Sequence, residues 1–323
     1  IMNIVCSTDD NFVQHCCIML TSVLKHNDNV VVYLLTEGLK DDNLKKIKEE
    51  IESKGGEFRL ILVDGTIISQ LPMPDTNELS HISSATYYRL LITYLLPENI
   101  DKILYLDCDI IARKSLKELW EINIDNYALG AVSQIAKETV EEIARLGYPP
   151  KYGYFNAGVL LINLDYWRKH KISDTLLNYL VDNYDVIKYH DQDALNFVLH
   201  EECLVLPCKW NMMSVYFSKD IFLIKDVYNG EVINNYIDYG DQLEIEMVDP
   251  TVIHYVSKPK PWDPYSVHPF RKEYYKYADF SIFFNSISQP KKVKSEVFFY
   301  IYNIFILKIY KNYIKRFLNF KDK

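Results

Sequence analysis

Three apolar runs and two helical patterns alternate at the start of the chain. Residues 2–7 and 30–35 are predominantly apolar and predict buried strands, and residues 58–63 predict a third strand. Residues 12–26 and 39–54 place apolar side chains at helical spacing, and two glycines follow the second pattern as a C-cap. A β-α-β-α-β order predicts a parallel sheet covered by helices, and therefore an α/β fold.

The pattern is weaker after residue 63. We predict a long loop over residues 64–82, a helix from Ser83 or Ser84 to Leu96, and an apolar strand over residues 102–106. The remaining predicted elements are short: helices at 115–120 and 191–200, and strands at 130–133, 159–162 and 252–254. Residues 210–250 have little periodicity, so no element is predicted there.

Composition excludes several classes of protein. The chain has 323 residues, 49% of them hydrophobic and 25% charged, which is typical of a globular protein. A pI near 5.5 argues against a nucleic-acid partner. The glycine-rich motifs of dinucleotide-binding and P-loop proteins are absent. The six cysteines form no C-x-x-C and the first residues lack a signal peptide's basic start, so we expect reduced thiols and a cytoplasmic location.

The formal net charge of −8 is unevenly distributed. Residues 291–323 carry nine basic and two acidic side chains among many aromatic and aliphatic ones, whereas residues 1–290 are strongly acidic. The longest uncharged stretch, residues 297–307, is too short to span a bilayer. The composition favours a helical tail on an anionic membrane surface. A helix packed on the body or in a dimer is the alternative.

The sequence Asp107-Cys108-Asp109 directly follows the predicted strand 102–106. In extended chain, residues i and i+2 point to the same side, so the two carboxylates can converge on a hard divalent cation such as Mg²⁺ or Mn²⁺. The carboxyl ends of strands are where open α/β sheets bind ligands. A D-x-D motif is common by chance, so its context decides.

Candidate partners of this motif are scattered along the chain. Asp9-Asp10-Asn11 follows the first strand, Arg89 precedes the D-x-D strand, and His254 and Lys260 lie near the last strand. Together these side chains suit a metal-bound diphosphate. Each one alone also has a structural interpretation: the acids could cap a helix, the arginine could be a surface charge, and the histidine could be hydrogen-bonded in the core.

Three other functions are compatible with parts of this pattern. A haloacid-dehalogenase-like phosphatase also has D-x-D after a strand, but it requires Thr or Val where this chain has Ile111, and usually near the N-terminus. A nucleotidyltransferase is a further possibility. A non-enzymatic scaffold at a membrane surface would use the basic tail alone.

Six segments, in order across residues 3–262, resemble glycosyltransferase family 8, whose members are retaining GT-A enzymes that use UDP-sugars. The segments are N-I-V-C-S-T-D-D-N (3–11), H-I-S-S-A-T-Y-Y-R-L (81–90), I-L-Y-L-D-C-D (103–109), Y-F-N-A-G-V-L-L-I-N (154–163), Y-H-D-Q-D-A-L-N (189–196) and H-Y through K-P-W (254–262). Within the family, the chain resembles bacterial lipooligosaccharide galactosyl- and glucosyltransferases, which also end in a basic, aromatic segment.

The resemblance implies a Rossmann-like GT-A fold with a mixed, mostly parallel sheet flanked by helices. It implies a catalytic domain over residues 1–262, an extension over 263–290 and a membrane-association tail over 291–323. Asp107, Asp109 and His254 would bind Mn²⁺, with Mg²⁺ as the alternative metal. The enzyme would work on the inner face of the cytoplasmic membrane, as a peripheral protein.

The resemblance also assigns residues to the UDP-sugar. Thr8, Asp9 and Asn11 would hold the uracil and ribose. Lys260 would bind the diphosphate, and Arg89 would lie beside the phosphates and the sugar. Cys108 and Ser257 would complete the donor site, and the sugar pocket would be lined by Asn156, Asp191 and Gln192. Gln134 stands where similar enzymes have an acidic sugar contact, so galactose and glucose both remain open as the donor sugar.

The implied reaction is transfer of a hexose, with retention, to a glycan or glycolipid in cell-surface polysaccharide synthesis. Gln192 and Asp191 are the candidate catalytic residues. Gln192 would lie nearest the β face of the anomeric carbon, where an amide is a poor nucleophile. Asp191 is the other candidate nucleophile, although binding of sugar hydroxyls suits it better. We therefore favour same-face attack by the acceptor over a double displacement, with the Gln192 carbonyl stabilising the positive charge.

Overall fold

The computed structural model describes residues 1–68, 84–134, 138–217, 226–228, 231–233 and 239–287. Its strands, in chain order, are β1 (Met2–Ser7), β2 (Val30–Thr36), β3 (Glu57–Leu62), β4 (Lys102–Leu106), β5 (Ile110–Ala112), β6 (Leu129–Ser133), β7 (Phe155–Asn163), β8 (Cys203–Val205), β9 (Met212–Met213), β10 (Asp226–Tyr228), β11 (Glu231–Ile233) and β12 (Val252–His254).

The helices, in chain order, are α1 (Val13–Leu24), α2 (Asp41–Ser53), α3 (Gly65–Ile68), α4 (Ile92–Leu95), α5 (Lys117–Trp120), α6 (Glu138–Leu146), α7 (Leu164–Lys169), α8 (Ile172–Asp182), α9 (His190–Leu199), α10 (Gly240–Val248) and α11 (Arg271–Ala278). Short 3₁₀ helices lie between them, of which Ser84–Leu91 is the longest. None of the helices in the described part of the chain has the length and apolar character needed to cross a bilayer.

Seven strands form the main sheet, in the order β3-β2-β1-β4-β7-β6-β8. The first four are mutually parallel, β7 runs antiparallel to both of its neighbours, and β8 is parallel to β6. A second sheet has the order β5-β12-β9. The predicted α/β class and the mixed, mostly parallel sheet flanked by helices are both confirmed.

Apolar side chains pack on both faces of the main sheet. Along β1, Ile4 and Cys6 join a core with α1, α2 and the second sheet, whereas Val5 joins a core with the 3₁₀ helix Ser84–Leu91 and helices α7 to α9. Successive side chains of a strand point to opposite faces, so one apolar strand serves both cores. This explains why residues 4–6, at the centre of β1, are all apolar.

One predicted element needs correction. The helix expected up to Leu96 is mostly the 3₁₀ helix Ser84–Leu91, followed by the single α-helical turn α4. The strand predicted at 58–63 is present as β3, which is the edge of the sheet and leaves Leu62 65% exposed. The loop expected at 64–82 begins with α3, and its residues 69–82 lie outside the described residues, as does the tail 291–323.

Residues of the predicted extension 263–290 pack on helix α1 and strand β12. Tyr274 and Tyr277 of α11 share an apolar cluster with Ile18 of α1 and Ile253 of β12. His15 of α1 also stacks on Trp262, with ring centroids 3.6 Å apart. The chain therefore returns to α1 after its last strand.

Asn163 connects the end of β7 to the start of α7. Its Oδ1 accepts a hydrogen bond from the Tyr166 amide at 3.0 Å, and its Nδ2 donates to the carbonyl of Ile124 at 3.1 Å. We expect Asn163→Ala to lower the free energy of unfolding by about 1–2 kcal/mol through loss of this N-cap. Urea denaturation measures the effect. Asn123→Ala, at an exposed position, is the control and should change it by less than about 0.5 kcal/mol. Equal stability of both variants would contradict the assignment.

Candidate active site

Two sheets bring the candidate site together. Residues 107–109 connect β4 of the main sheet to β5 of the second, and β12 pairs antiparallel with β5. In that pairing His254 lies opposite Ile110, the residue after Asp109. The register therefore places the imidazole beside the two carboxylates, although they are far apart in sequence.

Asp107, Asp109 and His254 offer ligand atoms that all lie within 4.8 Å of one another. His254 Nε2 is 3.1 Å from Asp109 Oδ1 and 3.9 Å from Asp107 Oδ2. Two carboxylates and an imidazole form a donor set that suits Mn²⁺ and is also compatible with Mg²⁺. The three residues thus fit a divalent cation, and the geometry brings together the residues that the sequence suggested.

Gly158 makes room for these ligands. A Cβ atom at this position would lie 2.2 Å from His254 Cε1 and 2.8 Å from Asp107 Oδ2. Its carbonyl also accepts a hydrogen bond from the Asp107 amide at 2.9 Å. Strand β7 therefore supports the ligand cluster from below and must have glycine at the point of contact.

Each acid of the D-x-D motif has its own cation. Lys260 Nζ lies 2.5 Å from Asp109 Oδ2 and also donates to the Tyr255 carbonyl at 2.6 Å. Burial alone would raise the pKa of Asp109, but Lys260 and His254 outweigh it and hold this pKa well below its usual range. Arg89 Nη2 donates to Asp107 Oδ1 at 2.8 Å.

Arg89 is buried, and its guanidinium is held from several directions. It lies 4.3 Å from the centre of the Tyr105 ring and donates to the carbonyls of Thr86 and Ala157. Its Nε is also 2.9 Å from Asp191 Oδ2. Burial disfavours the charge, yet the carboxylates of Asp107 and Asp191 raise the pKa of Arg89 further. The site therefore contains a permanent, fixed cation.

Asp191 is nearly fully buried at the first turn of α9. Its Oδ1 accepts a hydrogen bond from Thr86 Oγ1 at 2.6 Å, and its Oδ2 is ion-paired with Arg89 Nε at 2.9 Å. Burial raises the pKa of this carboxyl, and Arg89 partly offsets the shift. Both carboxylate oxygens therefore have partners among the described residues.

A cleft of about 280 Å³ opens above these residues. Ten of the thirteen residues predicted for donor binding line it: Thr8, Asp9, Arg89, Asp107, Cys108, Asp109, Asn156, His254, Ser257 and Lys260. Asn11, Asp191 and Gln192 do not line it. Asp191 contacts Arg89 and Thr86 from behind, and Gln192 hydrogen bonds to Asn156 at 3.0 Å.

The acids after β1 have structural contacts as well. Asp9 Oδ1 accepts hydrogen bonds from the amides of Asn11 and Phe12, and so caps the turn that leads into α1. Asp10 accepts from Asn43 and from the amide of Lys40, which lowers its pKa. Asp9 nevertheless lines the cleft, so the capping and ligand-binding interpretations are compatible.

Sequence reasoning missed several residues of the site. Ser7, Phe12, Ala85, Thr86 and Val256 also line the cleft, and each is next to a predicted residue or within a quoted segment. Asn211 is fully buried, and its Oδ1 lies 2.9 Å from His254 Nδ1. It lies in the region 210–250, where the pattern predicted no element, so nothing in the sequence identified it.

Comparison with known proteins gives the family to which this fold belongs. The family model described as glycosyl transferase family 8 matches residues 3–265. The chain therefore belongs to glycosyltransferase family 8, has its GT-A fold, and is a transferase.

Two curated relatives and one solved structure illustrate the similarity. General stress protein A of Bacillus subtilis is 28% identical over 90% of this chain and 97% of its own length. The lipopolysaccharide 1,2-glucosyltransferase of Escherichia coli K12 is 26% identical over 86% of this chain and 77% of its own length. The galactosyltransferase LgtC, solved with donor and acceptor sugar analogs, aligns with a TM-score of 0.76 and 27% identity over 87% of this chain and 96% of that chain.

Gly158→Ala tests the metal-ligand cluster. The added Cβ would displace His254 or Asp107, so we expect Mn²⁺ affinity to fall about 10- to 100-fold. Isothermal titration calorimetry with Mn²⁺ measures the affinity, and circular dichroism checks the fold. Gly130→Ala in the neighbouring strand β6 is the control, because its Cβ would meet only the side chain of Leu206. Unchanged Mn²⁺ affinity in Gly158→Ala would contradict the proposed ligand set.

Proposed function

We propose that this protein is a metal-dependent, retaining hexosyltransferase that moves galactose or glucose from a UDP-sugar to a glycan or glycolipid. The observation that carries the proposal is the convergence of Asp107, Asp109 and His254 at the edge of a cleft in a family 8 chain. Membership of that family favours transfer of a sugar over the phosphatase and nucleotidyltransferase alternatives.

The donor would occupy the cleft with its nucleotide near β1 and its diphosphate near the acids. Thr8, Asp9 and Asn11 would bind the uracil and ribose at the end of β1. Ser257 and Lys260 would bind the diphosphate from the segment after β12, and Cys108 would contact the donor between the two acids. Thr8, Asp9, Cys108, Ser257 and Lys260 line the cleft, which supports these roles.

A bound Mn²⁺ would neutralise charge on the diphosphate and so make UDP a better leaving group. Lys260 would contribute to the same electrostatic stabilisation, because its ammonium group is already held at the metal-binding edge by Asp109. Arg89 would provide a second fixed positive charge on the sugar side of the phosphates.

Asn156, Asp191 and Gln192 would form the sugar pocket. Asp191 Oδ2 is ion-paired with Arg89 Nε at 2.9 Å, so Asp191 would act on the sugar partly by orienting Arg89. Gln192 Oε1 accepts hydrogen bonds from Asn156 Nδ2 and the Ala157 amide, both at 3.0 Å. These bonds fix the orientation of the Gln192 amide, whose carbonyl dipole can still stabilise a nearby cationic sugar.

In the proposed reaction the acceptor hydroxyl attacks the anomeric carbon on the face from which UDP leaves. The bond between that carbon and the β-phosphate oxygen breaks, and a new carbon–oxygen bond forms to the acceptor. The hydroxyl proton passes to the departing phosphate oxygen. The transition state is oxocarbenium-like, and the carboxylate of Asp191 and the amide of Gln192 would lie close to its positive charge.

The relatives support, but do not decide, the choice of sugar and acceptor. The E. coli relative is a lipopolysaccharide 1,2-glucosyltransferase, and LgtC is a galactosyltransferase. We propose a hexose donor and a cell-surface glycolipid or polysaccharide acceptor for this chain. The Gln134 amide donates to the Tyr154 carbonyl at the end of β6. Since Gln134 stands where similar enzymes have an acidic sugar contact, it is the residue most relevant to the choice between galactose and glucose.

We also propose that the protein works on the inner, cytoplasmic face of the cytoplasmic membrane through residues 291–323. The support is the sequence alone: this segment has nine basic and two acidic residues among aromatic and aliphatic ones. Lysine and arginine near an anionic leaflet contribute about 1 kcal/mol each. The strongly acidic body would be repelled by the same surface, so attachment would be oriented.

Release of UDP from UDP-glucose and UDP-galactose tests the proposed activity. We expect release to require Mn²⁺, to stop with EDTA, and to fall at least about 100-fold in Asp107→Asn, which removes a ligand charge. Asp125→Asn, at an exposed acid remote from the cleft, is the control and should retain native activity. Absence of both binding and turnover across a panel of UDP-sugars would refute the proposal.

Vesicle co-sedimentation tests the membrane proposal on the full chain. Replacing Lys308, Lys311, Lys315 and Arg316 by Gln should abolish binding to vesicles that contain anionic lipid, because it removes four of the nine bases. The matched control replaces Lys45, Lys48, Lys117 and Lys169, which are exposed on the body. Binding of the native chain should also weaken with salt. Equal binding of the two variants would contradict the proposal.

A further inference from the structure

Four polar side chains form an uninterrupted hydrogen-bonded relay between the metal-ligand cluster and helix α9. The members of the relay, in order, are His254, Asn211, Asn156 and Gln192. The His254–Asn211 bond is 2.9 Å long, the Asn211–Asn156 bond 2.8 Å and the Asn156–Gln192 bond 3.0 Å.

Backbone amides fix the orientation of two of these side chains. The Gly158 amide donates to Asn156 Oδ1 at 2.9 Å, and the Ala157 amide donates to Gln192 Oε1 at 3.0 Å. A backbone N–H can only donate, so both contacted atoms must be carbonyl oxygens. The NH₂ group of Asn156 must therefore face Gln192, as the 3.0 Å bond requires.

The remaining orientations follow from these two. Asn156 Oδ1 can accept from Asn211 only if the Asn211 NH₂ group faces it. Asn211 Oδ1 then faces His254 Nδ1, and because a carbonyl oxygen can only accept, Nδ1 must carry a proton. In the tautomer with its proton on Nδ1, the lone pair of Nε2 is directed towards Asp107 and Asp109.

A competing tautomer shows what the relay must prevent. His254 Nε2 is only 3.1 Å from Asp109 Oδ1, so a proton on Nε2 would be stabilised by that carboxylate and would block the lone pair. We propose that Asn211 is a positioning residue that holds the His254 proton on Nδ1 and so leaves Nε2 free for a divalent cation. Through Asn156, the same residue couples the His254 tautomer to the orientation of the Gln192 amide. The role of this coupling in catalysis rests on the proposed sugar transfer.

The first test uses the native, full-length chain. Histidine-selective ¹⁵N labelling and long-range ¹H–¹⁵N spectra of the metal-free protein at mildly alkaline pH report which nitrogen carries the proton, and His254→Gln assigns the signal. We expect the proton on Nδ1. A proton on Nε2 in the native chain would overturn the proposal without any assay of activity.

Asn211→Leu removes both hydrogen bonds at similar volume. The His254 proton should then move to Nε2, beside Asp109, and Mn²⁺ affinity should fall about 10- to 100-fold, as is usual when the support of a ligand histidine is lost. Asn27→Leu is the matched control, because Asn27 is also buried but bonds to Val23, Ser115 and Leu116, away from the cleft. Native Mn²⁺ affinity in Asn211→Leu would overturn the proposal.

Asn211→Asp separates the effect on the His254 tautomer from the effect on the Gln192 amide. The carboxylate still accepts from His254 Nδ1, so Mn²⁺ affinity should stay within about threefold of the native value. Because it no longer donates to Asn156, kcat for sugar transfer should fall about 10-fold or more, with KM for the donor little changed. Mn²⁺ affinity as low as in Asn211→Leu would overturn the role of Asn211 in fixing the His254 tautomer. A native kcat in Asn211→Asp would overturn the coupling to the Gln192 amide. A native chain that binds Mn²⁺ but turns over no UDP-sugar would instead refute the proposed function and leave the tautomer result to decide the relay.

Discussion

The antiparallel pairing of β12 with β5 is the constraint on which the site depends. It sets His254 opposite Ile110, and the amide of Tyr255 donates to the carbonyl of Asp109 at 3.0 Å, so the imidazole and the two acids share one rigid edge. Strand β7 supports the same edge through Gly158, and Asn211 directly precedes β9, which pairs with the other side of β12. The two acids lie in a three-residue connection that paired strands hold at both ends, which fixes ligand positions better than a long loop would.

Charge at this edge is balanced by matched pairs. Asp107 is paired with Arg89 and Asp109 with Lys260, and Arg89 is shared with the buried Asp191. Taking charges out of water is costly, and the cost is offset only where partners are close and hydrogen-bonded, as they are here. A ligand that carries both a cation and a diphosphate could replace these internal partners one for one. The same side chains would then serve stability in the free protein and binding in the complex.

Much of the fold could be predicted because β1, β2 and β4 are buried on both faces and so are continuous apolar runs. The D-x-D acids were evident from the strand that precedes them. Other features depend on contacts between distant residues. The segment Ser84–Leu91 has an apolar helical pattern but forms a 3₁₀ helix. Helix α8 was not predicted, although its apolar side chains are part of the core on one face of the sheet. Asn211 could not be found, because a single buried amide leaves no periodic signal.

The separation of the site residues along the chain has a consequence for biosynthesis. Lys260 and Asp109, which touch at 2.5 Å, are 151 positions apart in sequence, and His254 belongs to the same late segment. Loops of this size close slowly, because the chain loses conformational entropy before the contact between its ends can form. A chain emerging from the ribosome can thus complete β1 to β4 and their helices long before its last ligand is translated. A partial chain that ends before β12 contains Asp107 and Asp109 but not His254, so the three-residue cluster can form only after β12 has been translated.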